Sequence, residues 1–368
     1  MTTAFNSALL ETARDAAGLS QQALAKALEI TQATISRWEH GLFGPSDAEL
    51  ARMAEVLGVP SSFFTRDIGP MGGGLPVFYH RALTAAAGKI AARVNARCFI
   101  RAMHAEVLAK MCAPPEHNFP ILPADAFKNG ARDVAQALRS AWMIGSGPIQ
   151  NLVGIIESNG GIVIVEDLGC DEVDALCWWR AGLPKLFFIN ARKPPCRMRF
   201  SLAHELGHTI MHTNPTDTAR AEQEADIFAA EFLMPTKEAR ATLVAPVTVA
   251  RLASLKPWWK ISMAALAVRA KDCGAITPEQ LAAIMRELGS RGWRKREPVD
   301  VPEERPAWFS TMLRYPIDKL GWSILDLAAC LHATVPEVVR MMGEHLPPPP
   351  VSSGSSPPND APWLRLVG

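Results

Sequence analysis

Apolar and polar residues recur along this chain at two different periods, and the switch between them divides it. From Leu9 to Phe64, Leu24, Ala25, Leu28, Ile35, Trp38, Leu50, Met53, Ala54 and Leu57 fall at helical spacing, as in helices that bury one face in a small shared core. Local punctuation cuts this stretch into five short helices. Gly18 closes the first, Ser20 caps the second and Thr31 caps the third, which runs from Gln32 to roughly His40. Arg81 to Met111 continues as one long helical stretch, and Ala131 to Trp142 and Ile149 to Ser158 read as helices. The period then shortens. Ile162 to Glu166 reads as a strand, and Ala175 to Arg180 with Lys185 to Asn190 as a β-hairpin around Gly182-Leu183-Pro184. A small mixed or antiparallel sheet is expected. Beyond Pro235 the pattern returns to helix at Thr248 to Leu255, Ser262 to Lys271 and Pro278 to Leu288, and a last helical module spans Trp308 to Glu344. The breaks are compositional: a Gly-rich linker from Gly69 to Pro76, proline-broken connections at Pro114 to Pro123 and Pro298 to Pro306, and a low-complexity tail from Pro347 to Pro362 expected to be disordered.

Between the sheet and the later helices lies Arg199-Phe-Ser-Leu-Ala-His-Glu-Leu-Gly-His-Thr-Ile-Met-His212. On a helix, residues four apart sit one turn above each other, so His204 and His208 can turn imidazole nitrogens to one ion. Glu205, in the H-E-x-x-H pattern, projects beside them where a carboxylate can take a proton from a metal-activated water. Leu202, Leu206 and Ile210 give the segment the apolar stripe of a core-docked helix. A catalytic zinc needs a third protein ligand and an open fourth position. The following helix, Ala221 to Pro235, can supply Glu222, and Asp226 one turn on can hydrogen-bond the far nitrogen of a ligand histidine. Glu224 and His212 are rival ligands. Glu224 points about 200° from Glu222, and His212 lies about 6 Å beyond His208 along a straight helix.

These two blocks, R-x-F-S-L-A-H-E-L-G-H-x-x-x-H and E-x-E-A-D-x-F-A-A-E-F-L-M-P, resemble the ImmA/IrrE family of bacterial zinc metallopeptidases, over roughly Ala131 to Gly274. The resemblance implies one Zn2+ held by His204, His208 and Glu222, with Glu205 as general base. It also implies cleavage of helix-turn-helix repressors, in stress or mobile-element control. The string L-S-Q-Q-A-L-A-K-A-L-E-I-T-Q-A-T-I-S-R-W-E-H-G is similar to the XRE, or phage-repressor, helix-turn-helix domain, over about Leu9 to Phe64. That resemblance implies a double-stranded DNA operator as partner. Gln32, Ala33, Ser36 and Arg37 fall at base-reading positions: Gln32 suits adenine, Arg37 guanine, and the Ala33 or Thr34 methyl a thymine. Gln21 and Gln22 are expected phosphate contacts.

Charge complicates the DNA reading. Met1 to Arg66 holds five Lys/Arg against seven Asp/Glu, so a helical protein-interaction module stands as the alternative, and DNA binding would depend on a homodimer. Lys89, Arg93, Arg97 and Arg101 recur every four residues as one basic stripe. It could grip phosphates beside the reading helix, stand as a solvated face, or pair with acids of the peptidase domain. The whole chain of 368 residues is nearly neutral, at +1, and 48% hydrophobic, ordinary for a folded protein of two or three domains. Its seven scattered cysteines form no C-x-x-C pair, and neither a signal peptide nor a membrane span is legible, so a cytoplasmic protein with buried thiols is expected. Cys98, His104, Cys112 and His117 match no zinc-finger spacing and are read as core residues.

The resulting expectation is an α+β, mainly α chain. Residues 1–68 form a five-helix helix-turn-helix domain, 69–76 a linker and 77–123 a basic connecting helix. Residues 124–290 form a zincin-like peptidase domain with a small sheet, 291–346 a helical C-terminal module and 347–368 a tail. Oxyanion stabilisation is left to Tyr79, His80, His212 or Arg199, of which His212 and Arg199 lie nearest the motif. The competing readings are a transcription factor whose peptidase-like domain only senses a ligand, and a cytosolic peptidase whose helix-turn-helix only docks substrate.

Overall fold

The computed structural model describes residues 5–66, 68, 88–112, 115–180, 183–212, 218–294 and 296–345. The 69–76 linker, the tail, Tyr79 and His80 lie outside these residues.

The N-terminal unit is built from α1 (Ser7–Ala16), α2 (Gln21–Leu28), α3 (Gln32–Glu39) and α4 (Asp47–Leu57). The fifth expected helix is a 3-10 turn, Ser61–Thr65; a span this short between Pro60 and Arg66 has no room for two α-helical turns. Asn6, Ser20, Thr31 and Ser46 each cap the helix that follows them by accepting a backbone N–H. Glu29, in the left-handed region at φ 58°, turns α2 into α3. Ile35 and Trp38 enter the core, which leaves the other side of α3 to solvent.

Helix α5 (Gly88–Met111) leads toward the second body, which contains α6 (Ala131–Ala141), α7 (Leu152–Ser158), β1 (Ile162–Glu166), β2 (Ala175–Trp178), β3 (Leu186–Asn190), α8 (Pro195–Met211) and α9 (Thr218–Leu233). It is completed by α10 (Thr236–Thr242), α11 (Val249–Trp259), α12 (Met263–Asp272) and α13 (Pro278–Ser290). The sheet is mixed, in the order β1-β3-β2: β1 and β3 run parallel, and β2 and β3 form the expected antiparallel pair. Because strand side chains alternate between faces, the sheet is a wall between two cores. Val163, Cys177, Phe187 and Ile189 face α8, α9 and the later helices. Ile162, Ile164, Leu176 and Phe188 face a core shared by the N-terminal unit, α5 and the C-terminal module. Apolar packing therefore runs unbroken from the reading unit through α5 to the chain's last helices.

Those last helices are α14 (Trp308–Leu320), α15 (Ile324–Leu331) and α16 (Val335–His345), and they repeat α1, α2 and α3 at a constant offset. Gly18 and Gly321, both at φ 71°, precede the caps Ser20 and Ser323. Leu24, Ala25 and Leu28 correspond to Leu327, Ala328 and Leu331, all buried. Glu29 at φ 58° corresponds to His332 at φ 50°. Thr31 and Thr334 each accept a backbone N–H three residues on, and Ile35 and Val338 are both fully buried. The segment before this repeat is strapped to the second body. Glu304 accepts the backbone N–H groups of Leu152 and Val153 at the start of α7, and Glu157 accepts those of Ala307 and Trp308 at the start of α14.

The basic stripe does not stay on one face. Four residues make slightly more than one turn, so side chains at this spacing drift about 120° over three steps. Lys89 and Arg93 are exposed, whereas Arg101 is buried between Glu166 on β1 and Glu337 on α16, 3.0 Å from each. For Arg101 the pairing with acids is what the structure shows.

Candidate metal centre

Helix α8 starts on Pro195 at its first turn, where the missing N–H costs nothing, and buries nearly every residue from Leu202 to Met211. It packs along α9 at close range. A Cβ on Gly207 would lie 3.0 Å from the Phe228 ring, so glycine lets the two helices approach and brings Glu222 over the histidines.

His204, His208 and Glu222 offer ligand atoms that all lie within 4.8 Å of one another. The Nε2 atoms of His204 and His208 are 3.1 Å apart, and the Glu222 carboxylate oxygens stand 3.3 Å from one and 3.4 Å from the other. Bonds of 2.0–2.1 Å to a tetrahedral ion place neighbouring ligands about 3.3–3.4 Å apart, so these three groups fit zinc. Among the described residues no other His, Cys, Asp or Glu cluster of this kind occurs. Cys98, His104 and Cys112 are buried core residues.

Hydrogen bonds behind the two histidines set which ring nitrogen of each faces Glu222. His204 Nδ1 lies 2.9 Å from Asp226 Oδ1. A carboxylate only accepts, so Nδ1 donates to Asp226 and Nε2 is the nitrogen turned toward Glu222 and His208. His208 is set one step further back. Glu224 lies 3.0 Å from His212 Nε2, and His212 Nδ1 lies 3.0 Å from His208 Nδ1. His212 thus donates to Glu224 and accepts from His208 Nδ1, again turning Nε2 of the ligand toward Glu222. Arg220 steadies Glu224 from outside. Glu224 and His212, the sequence-level rivals for the third ligand, act together as the support of His208. With both ring nitrogens engaged, His212 is no oxyanion donor.

Charge in the site calls for a cation. Burial alone would lower His204, but hydrogen bonds to Asp226 and Glu222, with the charge of Glu205, push it up to about 10. Burial would raise Glu222, yet the two histidines hold it far below the usual carboxylate range. Glu205, fully enclosed beside Cys177 on β2, is pushed by burial up to about 7, even with His204 pulling it down. One of its oxygens has no partner among the described residues. With that oxygen open beside the His204 and His208 rings, the carboxylate is placed to take and return a proton.

A cleft of about 130 Å3 opens onto His204 and Glu205 between α8 and the approach to β2, lined also by Asp174, Ala175, Arg197 and Phe200. Strand β2 is an edge of the sheet at this cleft. Arg199 is elsewhere. It is buried, donates to the Ile149 carbonyl over 2.8 Å and is ion-paired with Glu304 of the strap, which removes it as an oxyanion candidate. The strap comes from a distant part of the chain, so no local signal announced this pairing.

On the reading unit, Gln22, Gln32, Ala33 and Arg37 are exposed, and Thr34 and Ser36 half-buried. Gln21 is less free than a phosphate contact requires. Its amide donates to Glu39 over 2.6 Å and accepts from Gln32 over 2.7 Å, while Glu39 also holds Arg14. Lys89 at the start of α5 borders the same surface hollow as Gln21, Gln22 and Gln32.

Fold and site together define the class: a helix-turn-helix unit joined to a metallopeptidase-like domain. Residues 10–64 match the helix-turn-helix family, and residues 158–271 match the family of the IrrE N-terminal-like domain. The chain is therefore a helix-turn-helix fused to an ImmA/IrrE-type domain. No curated protein matches it in sequence. Among the described residues, no helix is long and apolar enough to cross a membrane.

Proposed function

We propose that this chain is a cytoplasmic DNA-binding regulator whose second body is a zinc-dependent endopeptidase acting on a helix-turn-helix repressor. One observation carries the peptidase reading: two histidines locked by Asp226 and His212 present Nε2, with Glu222, at the edge lengths of a tetrahedral ion. His204, His208 and Glu222 would hold the zinc, which when bound acidifies water and polarises a carbonyl. Glu205 accepts the proton from the attacking water and delivers it to the leaving amine nitrogen. The edge position of β2 supports an extended substrate strand laid beside it, with the scissile bond at His204 and Glu205. Gln32, Ala33 and Arg37, exposed on α3, would read base edges of an operator from a homodimer. Residues 1–68 and 124–290 are taken as the reading and peptidase domains, with 291–346 as the module that braces them.

The test is incubation of zinc-loaded protein with the helix-turn-helix repressor encoded beside its operator, compared with Glu205→Gln. Cleavage should fall by roughly 10²–10⁴-fold in the variant, with zinc content unchanged. Equal cleavage by both proteins would sink the mechanism. No turnover by either, with operator binding intact, would favour a ligand sensor instead.

A further inference from the structure

The reading unit is short of free charge for its task. Of the five Lys/Arg between Met1 and Arg66, Arg14 is held by Asp15 and Glu39. Arg52 reaches Glu29 and the Leu28 carbonyl, and Arg66 donates to the Met103 carbonyl. Lys26 and Arg37 remain exposed and without an ion pair among the described residues. Two free cations are few for a surface that must neutralise phosphates, because counterion release supplies essentially all of the sequence-independent affinity for DNA.

Helix α5 brings two more cations to the same face. Lys89 and Arg93, one turn apart, are both exposed, and neither is ion-paired among the described residues. Lys89 borders the hollow lined by Gln21, Gln22 and Gln32. Arg93 lies against the turn that precedes α2: a Cβ on Gly18, itself a wall of that hollow, would stand 3.5 Å from its Cδ and Nε. Arg14 and Asp15, the hollow's other charged walls, are already paired with each other, which leaves Lys89 and Arg93 as the charges open to a partner. Packing fixes them there, since Val94 and Cys98 of α5 share one core with Leu9, Leu10 and Ala13 of α1. The other half of the basic stripe is spoken for. Arg97 lies beside Gly169 and the charge of Asp167, and Arg101 is held by Glu166 and Glu337.

We propose that the start of α5 is a second part of the DNA interface, where Lys89 and Arg93 grip backbone phosphates flanking the bases that α3 reads. The inference rests on the DNA-binding reading above and adds a contact outside residues 10–64, which match the helix-turn-helix family. Four residues rise about 6 Å along a helix, and one DNA strand presents a phosphate every ~3.4 Å of its axis, so each side chain can take its own phosphate. No base edge is involved, so the contact adds affinity and register without sequence choice. It also sits on the helix whose far end Arg101 ties to β1 and α16, so bound DNA bears on the element that joins the reading unit to the sheet.

The experiment measures binding of the full-length chain to a fluorescein-labelled, mixed-sequence DNA duplex by anisotropy over a series of potassium chloride concentrations. Lys89→Gln, Arg93→Gln and the double variant are compared with a charge-matched control carrying Lys237→Gln and Lys319→Gln, both exposed and outside the reading unit. Each α5 substitution should lower the slope of log affinity against log salt by about 0.9, and the double variant by about twice that. The control should keep the parent slope. An unchanged slope in the double α5 variant, or an equal fall in the control, would overturn the proposal. Weakened operator binding by Arg37→Ala would in that case show that the reading unit still binds DNA. No saturable duplex binding by the parent chain would overturn both readings together. Capture of a polyglutamate peptide that the double variant loses, with the duplex slope unchanged, would assign the pair to an acidic protein partner instead.

Discussion

The helix trio at the start of this chain and the trio at its end share a scaffold and differ in what they show to solvent. Both use a left-handed glycine, a serine cap, a Leu-Ala…Leu core face, a left-handed turn residue and a threonine cap. Where the first trio places Gln21, Gln22 and Gln32, the last places Ile324, Leu325 and Val335. The Arg14–Glu39 ion pair of the first has Ile317 and Met342 at the matching positions, packed against the common core. Arg37 is exposed on α3, but its counterpart Arg340 is tied to Glu337, the residue that also holds Arg101. The buried positions set the fold and the surface positions differ: one trio keeps exposed polar groups on its third helix, and the other packs Ile317, Ile324, Val335 and Met342 against the common core while Leu325 stays exposed.

The largest expected effect tests whether the two trios are equivalent as folded units. Leu24 and Leu327 are both fully buried, so Leu24→Ala and Leu327→Ala should each cost roughly 2–5 kcal/mol of stability, read by urea unfolding of the full chain. A negligible cost at Leu327 alone would mean that the last trio is no packed counterpart of the first. The next effect tests whether they differ in use. Arg37→Ala should weaken operator binding by about 1–3 kcal/mol if this side chain reads a guanine, whereas Arg340→Ala should leave affinity and its salt dependence unchanged. Equal losses would place both trios on DNA and dissolve the contrast.

The sequence carried most of the first trio and the chemical heart of the second body, for reasons that are local. Helix caps, the i to i+4 spacing of His204 and His208, and the strand Ile162 to Glu166 depend on neighbours within a few residues, and β1 has those limits in the structure. What was not legible depends on distant approach. The distance of His212 along α8 suggested that it could not share the ion, but its role behind His208 required Glu224 on α9. Arg199 was read beside the motif, yet a strap from beyond α13 claims it. Arg101 belongs to a regular stripe in the sequence, but the drift of an α-helix carries it about a third of a turn round, between Glu166 and Glu337. The repeat at the end was present as Gly321-Trp322-Ser323 answering Gly18-Leu19-Ser20.

The smallest expected effect sharpens the comparison at a single hydrogen-bonding position. Ser20 accepts the Ala23 N–H over 3.1 Å, and Ser323 accepts the Asp326 N–H over 3.2 Å. A serine-to-alanine change at such a cap costs about 1 kcal/mol, within a range of roughly 0.5–2. The two sites are not identical, because Asp326 reaches back to the Ser323 backbone N–H and hydroxyl at 2.9 and 2.7 Å, closing a capping box, while Ala23 has no side chain to do so. Ser323→Ala also strips the hydroxyl donor from Asp326, whose carboxyl is held below its ordinary range by that bond. Thermal unfolding of both variants should therefore place Ser323→Ala toward the upper end of the range and Ser20→Ala nearer the lower. The reverse order would show that the last trio holds its second helix by core packing alone, with the shared cap a sequence echo rather than a working part.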